Sequence, residues 1–260
     1  MRWSWLVVMA ACGQSGLVGG DAGDDAATSR DTAIDAPGSY KAAVLADTPV
    51  AYYRLGETSG AVAHDEVGGM DGMITGACTY AVAGAITGDT DGALQLDGST
   101  CHVTLPMDAF GFPGIAAFSI ESWVSSAMDA SFHMVFSKET RGAQDPIDGY
   151  AALVSPTGFT FERIVMNNGN LKTPPYLVST GYHHFVAVYT GTEMRMYVDG
   201  SLAGTLTDGR SQNAIAAPPI IGSSTVGNAF KGTIDEVAVY DKALTAVQIA
   251  AHHRIGLGLN

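Results

Sequence analysis

Short runs in which apolar and polar residues alternate recur along the chain from residue 50 onward. The clearest run covers residues 118–124, where Phe118, Ile120 and Val124 fall on one face because successive side chains of a strand point to opposite faces. Turn residues separate the runs at intervals of about 8–12 residues, without helical patterns between them, so the sequence predicts an all-β, antiparallel β-sandwich. Runs of this kind cover residues 50–55, 93–98, 102–105, 132–138, 150–155, 159–165, 182–189, 193–198 and 202–206.

The second face of residues 118–124 carries Ser119, Glu121 and Trp123. This face either lines a ligand groove or packs beneath a second layer of structure, and the alternation does not decide between the two. A tryptophan among polar groups is typical of a platform for a sugar ring, and also of a half-buried structural side chain. Trp123 is therefore a candidate ligand contact with a structural alternative.

Two pairs of runs have turn residues between them. The short gap between residues 93–98 and 102–105 predicts two strands joined by a turn. Asp199-Gly200 is typical of a two-residue hairpin turn between the strands that flank it.

One short helix is predicted near the C-terminus. Thr245, with Gln248 three positions later, forms a capping box, and residues 246–254 contain no helix breaker. Gly256 is a suitable stop, so this helix would close one end of the sandwich. The apolar opening at residues 40–45 has the length of about one helical turn.

Two adjacent carboxylates, Asp235 and Glu236, lie in the middle of the last strand-like run, residues 232–240. Because neighbours in a strand point to opposite faces, one of the two is expected to face inward or toward a partner. A carboxylate in that position must be paired, hydrogen-bonded or bound to a cation.

The composition favours a β-sandwich, and the net charge disfavours some classes of partner. The 260 residues include 32 glycines, 47% hydrophobic residues and only 15% charged residues, which is ample for a core. The net charge of −13 disfavours nucleic acid and anionic membrane surfaces. The acidity fits either solubility or calcium binding, and the glycine-rich acidic loop at residues 63–72 could direct several oxygens at a hard cation.

The N-terminus predicts export and a lipid anchor. Residues 1–12 contain Arg2, a short apolar run and small residues before Cys12, and the run is too short to span a bilayer. This arrangement resembles a bacterial lipoprotein signal cut before Cys12, which is then lipidated; an ordinary cleaved signal or a mis-assigned start are the alternatives. Residues 13–39 are acidic, lack a hydrophobic period and are expected to form a disordered linker. The chain is thus expected to be an exported, membrane-anchored lipoprotein of the bacterial cell envelope or surface.

The remaining cysteines, Cys78 and Cys101, form an even pair once Cys12 is lipidated. In an oxidising compartment they are expected to form a disulfide, the alternative being two buried free thiols. Their spacing does not match a zinc site.

The sequence lacks the common catalytic patterns. It has no Glu-x-Asp-x-Glu run that would place acid and nucleophile on one strand face, no Gly-x-Ser-x-Gly elbow and no P-loop. His183 and His184 point oppositely on a strand, and His252 and His253 diverge on a helix, so neither pair chelates a metal by itself. We therefore expect a protein that is not an enzyme.

Several segments in order resemble one family, the bacterial laminin-G-like domains of the concanavalin A-like lectin/glucanase group. The similarity extends from about residue 40 to residue 256 and implies a jellyroll domain over residues 40–260. Domains of this family are usually non-catalytic modules that bind glycans or proteins. The segments that carry the resemblance are residues 50–57, 118–124, 182–186, 196–200, 232–240 and 243–245.

The resemblance also implies a structural calcium ion. Its ligands would be Glu57 and Asp65 in the first loop and Asp235 in the last strand, while Asp71 stands where asparagine is common. The expected function is that of a carbohydrate-binding envelope lipoprotein. A protein-binding adhesion or structural module is the alternative, and a polysaccharide-degrading enzyme is the third class.

Overall fold

The computed structural model of the chain describes residues 38–259 except residues 128, 130, 141–147, 166–169 and 177–178. The predicted signal at residues 1–12 and nearly all of the predicted linker at residues 13–39 lie outside the described residues. The helices are α1 (Tyr40–Ala46) and α2 (Ala246–Gly256). The strands are β1 (Ala51–Tyr53), β2 (Val62–Ala63), β3 (Gly72–Thr75), β4 (Thr79–Ala83), β5 (Gly92–Asp97), β6 (His102–Thr104), β7 (Phe118–Ser126), β8 (His133–Thr140), β9 (Asp148–Ser155), β10 (Gly158–Ile164), β11 (Asn170–Lys172), β12 (His183–Tyr189), β13 (Glu193–Val198), β14 (Ser201–Thr207), β15 (Ile220–Ile221) and β16 (Lys231–Tyr240).

The strands form two antiparallel sheets, which confirms the predicted β-sandwich. Sheet A has the order β14-β13-β12-β7-β16-β5-β4, and β1 also pairs with β16. Sheet B has the order β11-β10-β9-β8-β15-β6-β3-β2. β16 therefore pairs with β1, β5 and β7, three strands that come from separate parts of the chain.

The main core lies between the two sheets and contains the predicted inner face of β7. Phe118, Ile120 and Val124 are almost fully buried there. The ring of Phe118 lies 4.5 Å from that of Tyr150 and 6.0 Å from that of Phe161, both on sheet B. Each large apolar side chain buried in this way contributes about 1.5–3 kcal/mol.

A second apolar layer lies on the outer face of sheet A, where α1 and α2 pack. Val44 of α1 and Ile249 of α2 are fully buried against Tyr52 and Tyr240. Trp123 belongs to this layer, with 1% of its surface exposed. The second face of β7 therefore packs beneath helices and does not line a groove, and Trp123 is a structural residue without access to a ligand.

The ends of both helices follow from local sequence. The Ser39 hydroxyl accepts a hydrogen bond from the Ala42 N–H at the start of α1. Thr245 and Gln248 form the predicted capping box, and α2 ends at Gly256 as expected. A Cβ atom at Gly256 would lie 2.4 Å from Trp123, so only glycine lets α2 approach sheet A this closely. Neither helix in the described part has the length or the apolar run that crossing a membrane requires.

The turn between β5 and β6 joins two strands, as predicted, but these strands belong to different sheets. The two strands do not pair, because β5 belongs to sheet A and β6 to sheet B. The turn crosses between the sheets, and the Asp97 carboxylate holds it by accepting hydrogen bonds from the backbone N–H groups of Ser99, Thr100 and Cys101. Alternation is the same for strands that pair and for strands that face each other across a core, so the sequence pattern could not separate the two cases.

A disulfide joins Cys78 to Cys101, the pairing expected from the sequence. Cys78 precedes β4 at the edge of sheet A, and Cys101 precedes β6 of sheet B. The bond therefore ties the two sheets together beside the crossing turn.

The hairpin predicted at Asp199-Gly200 connects β13 to β14. Both residues have positive φ values, 49° and 74°. Asparagine, aspartate and glycine tolerate this conformation best, which is why the dipeptide marks such turns.

Candidate functional site

A β-bulge in β16 places Asp235 and Glu236 in one charged cluster. Ile234 and Val237 both reach the core between the sheets although they are three positions apart. The register of the pairing between β16 and β7 shifts by one residue between Asp235 and Ala238, and Glu236 has a φ of 55°. Two residues therefore occupy the space of one on the strand. The prediction that adjacent carboxylates face opposite sides is wrong here, because it assumes a regular strand.

Arg54 lies at the centre of this cluster. Its Nε donates to Glu236 at 3.2 Å, and its Nη2 lies 2.5 Å from Asp89 and 3.2 Å from Asp91. Glu236 also accepts a hydrogen bond from the Tyr52 hydroxyl. No role could be assigned to Glu236 from the sequence, but in the structure it is the principal partner of the buried Arg54 guanidinium.

Asp235 belongs to the same cluster and is less well compensated. Its Oδ2 accepts from the Ala85 N–H at 2.7 Å, while its Oδ1 is buried without a hydrogen-bond partner among the described residues. Burial raises the pKa of Asp235 well above its ordinary value, and the neighbouring Glu236 and Asp91 raise it further. Three carboxylates, those of Asp89, Asp91 and Glu236, contact the single guanidinium of Arg54, so the negative charges in the cluster outnumber the positive ones.

The two other predicted calcium ligands differ in their surroundings. Asp65 is occupied by the backbone of its own loop: its Oδ1 accepts from the N–H groups of Tyr52 and Val67, and its Oδ2 from those of Gly68 and Met70. Glu57 uses Oε1 to accept from the His64 N–H at 2.8 Å. Its Oε2 is buried without a hydrogen-bond partner in the described part of the chain.

Asp91 lies between Glu57 and Asp235. Its carboxylate packs directly on the backbone of Gly56, where a Cβ atom would overlap it. The negative charge of Asp91 contributes to raised pKa values of both Glu57 and Asp235, after burial, which is the larger cause in each. Among the described residues, no three Asp, Glu, His or Cys side chains converge closely enough to hold a metal ion. Glu57 Oε2 and Asp235 Oδ1 each lack a hydrogen-bond partner among the described residues, whereas both oxygens of Asp65 accept backbone hydrogen bonds.

A second buried polar cluster, centred on Glu121 of β7, lies beneath the helices. Its carboxylate is fully buried and accepts hydrogen bonds from His184 Nε2 at 2.7 Å and from His252 Nδ1 at 3.0 Å. The hydroxyls of Tyr40 and Tyr240 donate to it at 3.0 and 2.8 Å. This carboxylate therefore joins both helices to sheet A.

The charges in this cluster stabilise each other. Burial alone would raise the pKa of Glu121, but His252 and His184 hold it well below its ordinary value. Burial opposes the charge on His252, but Glu121 and then Asp47, which lies 3.1 Å from His252 Nε2, raise the pKa of His252 above its ordinary value. The arrangement is an ion pair inside an apolar layer.

The surface near the start of β8 offers two adjacent depressions that share Phe132. The polar depression has a volume of about 420 Å³, and its lining includes Asp129, Asn228 and Lys231. The apolar depression has a volume of about 290 Å³, and its lining includes Leu153. Phe132 lines both and is 47% exposed. We call this region the Phe132 surface.

The Phe132 surface lies directly before β8 of sheet B. The polar depression is at the end of the sandwich, and the apolar depression continues onto sheet B, over Leu153 and Thr160. Lys172 of β11 places its Nζ 5.7 Å from the centre of the Phe132 ring. The sequence did not predict this surface, because Phe132 fits the pattern of the first residue of a strand, residues 132–138.

A family model for the concanavalin A-like lectin/glucanases superfamily matches residues 97–250. Among curated proteins, no sequence matches this chain.

Solved structures share the fold at low sequence identity. Domain 4 of AbnA, a GH43 extracellular arabinanase from Geobacillus stearothermophilus in complex with arabinotriose, aligns with a TM-score of 0.62 and 19% identity, over 79% of this chain and 98% of that domain. The binding domain of botulinum neurotoxin DC aligns with a TM-score of 0.61 and 10% identity, both in complex with SialylT and in complex with rat synaptotagmin II. Those alignments cover 81% of this chain and 52% of the toxin domain, so this chain spans about half its length.

Proposed function

The chain belongs to the concanavalin A-like lectin/glucanase superfamily, and on that premise we propose that it is a non-catalytic, carbohydrate-binding module. The resemblance to this family and the concanavalin A-like jellyroll predicted from the sequence are both confirmed. The observation that carries the proposal is the Phe132 surface: an exposed aromatic ring between a polar and an apolar depression.

An aromatic ring with polar groups beside it matches the chemistry of a sugar. The C–H bonds of one sugar face pack against the electron-rich face of the ring, and the hydroxyls need hydrogen-bonding partners nearby. Asn228 and Lys231 lie beside Phe132 and provide an amide and an ammonium group. The carboxylates around Arg54 support a non-catalytic role, because they are engaged in a buried cluster and do not flank an open groove.

Phe132→Ala is expected to weaken glycan binding by about tenfold or more, since the loss of an aromatic contact of ~1.4 kcal/mol corresponds to that factor. The measurement is a glycan array of the full chain, followed by titration of the best ligand. Leu202→Ala is the matched control, because Leu202 is also an exposed apolar side chain, 55% exposed, and lines neither depression. Equal binding by Phe132→Ala and wild type would exclude this site. A blank array together with a captured protein partner would favour the adhesion function, and turnover of a polysaccharide would favour an enzyme.

A structural calcium ion is the second part of the proposal. Glu57 and Asp235 would contribute one oxygen each, with nearby backbone carbonyls as the other ligands, and the charge of the ion would compensate carboxylates that burial otherwise destabilises. The ion would thereby join the first loop to the last strand. We do not include Asp65, because four backbone N–H groups already occupy its two oxygens.

Removal of calcium with a chelator is expected to lower the melting temperature by about 5–10 °C, and added calcium to restore it. The control is Asp235→Asn, which removes one donor charge and should melt at the same temperature with and without chelator. Magnesium should restore less stability, since it binds all-protein oxygen sites poorly. A wild-type melt that responds to neither chelator nor calcium contradicts the proposal.

Export and lipidation at Cys12 complete the proposal, and they rest on residues 1–12 and on the disulfide between Cys78 and Cys101. In a bacterial host fed a labelled fatty acid, the wild-type protein is expected to carry the label and to sediment with membranes. Cys12→Ser should lose both properties. A labelled Cys12→Ser variant, or an unlabelled wild type, would rule out the anchor.

A further inference from the structure

We propose that the Phe132 surface binds a linear, uncharged oligosaccharide that lies across both depressions, in preference to a single sugar or an acidic glycan. The inference rests on the proposed function and specifies the class of ligand. It follows from the size, the chemistry and the charge of the two depressions.

The size of the depressions favours a ligand longer than one sugar. Their volumes of about 420 and 290 Å³ each lie near the lower limit of ligand pockets, which measure about 300–1,000 Å³. Phe132 lines both, so the depressions adjoin at its ring and one ligand can contact them together. Both are also open toward solvent, which leaves room for a chain to continue beyond them.

The chemistry of the two depressions is complementary in a way that suits a sugar chain. The lining of the polar depression includes the exposed residues Asn228 and Lys231. The lining of the apolar depression includes Pro156 and Pro175, which present flat apolar surfaces. A sugar chain presents hydroxyl edges and C–H faces along its length, so neighbouring units can satisfy both surfaces at once.

The charges on this surface favour a neutral ligand. Lys172 Nζ lies 3.2 Å from Glu162, so its charge is already compensated. Lys231 shares the polar depression with the carboxylates of Asp97 and Asp129. Burial opposes the charge of Asp97, but hydrogen bonds from the N–H groups of residues 99–101 lower its pKa, and a hydrogen bond from the Ser131 N–H lowers the pKa of Asp129, so both carboxylates remain ionised. An acidic glycan would have to approach these carboxylates and a chain of net charge −13.

Isothermal titration of the full chain with oligosaccharides of increasing length tests the inference. The neutral probes are arabinan, xylan, β-glucan and mannan fragments of one to six units, and the acidic probes are oligogalacturonides of the same lengths. For the neutral series that binds, the dissociation constant is expected to fall by about tenfold or more between one and four units. The acidic series is expected to bind more weakly than this neutral series at every length.

Two variants test how each depression contributes to binding. Phe132→Ala should weaken binding at all lengths, because its ring contacts both. Asn228→Gly should weaken the binding of the longer ligands more than that of the shortest ones and so reduce the gain in affinity with length; glycine accepts the φ of 60° at this position. Leu202→Ala again serves as the control.

The outcomes distinguish this inference from the function on which it rests. A monosaccharide that binds as tightly as a tetrasaccharide, with loss in Phe132→Ala, would retain the carbohydrate site and overturn the two-depression ligand. Tighter binding of the acidic series would overturn the charge preference. Absence of binding by every probe, neutral and acidic, would overturn both the inference and the proposed function.

Discussion

Glu121→Gln is expected to lower the free energy of unfolding by about 3–5 kcal/mol, because it removes one partner of a buried ion pair and leaves the other uncompensated. Glutamine keeps the size of the side chain and one oxygen for the tyrosine hydroxyls. It removes the negative charge on which the buried His252 depends for its own charge. Urea unfolding of the variant and wild type measures the difference.

A surface ion pair provides the matched control for this variant. Glu193 lies 2.6 Å from Arg195, and 32% of its side chain is exposed. Glu193→Gln should therefore cost less than about 1 kcal/mol. A loss below that limit in Glu121→Gln as well would contradict the importance of the buried pair.

The same pair should give the protein a bounded pH range of stability. The pKa of His252 is raised in the folded state, so its contribution is complete below the unfolded pKa and is lost as the pH rises through the folded value. The pKa of Glu121 is lowered, so its contribution is present above the unfolded pKa and is lost as the pH falls through the folded value. Wild type should be most stable between these limits, and Glu121→Gln should show a flatter profile.

Replacement of both Cys78 and Cys101 by serine is expected to lower the free energy of unfolding by about 3 kcal/mol. The bond closes a loop with a sequence separation of 23 residues, and the chain-entropy model gives a stabilisation of about that size. Because the bond also ties sheet A to sheet B beside the crossing turn, the loss should appear as a shift of the whole unfolding transition. The measurement is urea unfolding of the variant beside wild type.

Chemical reduction supplies an independent control for the disulfide. Wild type unfolded in the presence of a reductant should show the midpoint of the double variant, and the reductant should not shift the variant itself. Thiol titration of the denatured, unreduced wild type should detect neither Cys78 nor Cys101. Two titratable thiols, or an unchanged midpoint in the variant, would contradict the expected stabilisation.

The elements that could be predicted are those whose cause lies within a few residues. The inner face of β7 follows from alternation between Phe118 and Val124, and the start of α2 follows from Thr245 and Gln248. The structure contains both elements because the tertiary contacts stabilise the same conformation that the local sequence prefers.

The features that could not be predicted depend on distant contacts. The partners of Glu121 lie 63–131 positions away along the chain, on four different elements. The Phe132 surface likewise combines segments that only the folded sheets bring together. The bulge at Glu236 could not be predicted for another reason. A single residue with positive φ reverses the alternation of the residues after it, and a glutamate in the sequence does not indicate a positive φ.

The central place of β16 determines when the chain can fold during its synthesis. β1, β5 and β7 all pair with this strand, and all three leave the ribosome before residues 231–240 do. Until then these three strands lack a common neighbour, so their hydrogen-bonding edges are available to other chains. The protein therefore completes sheet A only when residues 231–240 have been synthesised, and a nascent chain that stops before residue 231 would expose an unpaired edge on each of the three strands.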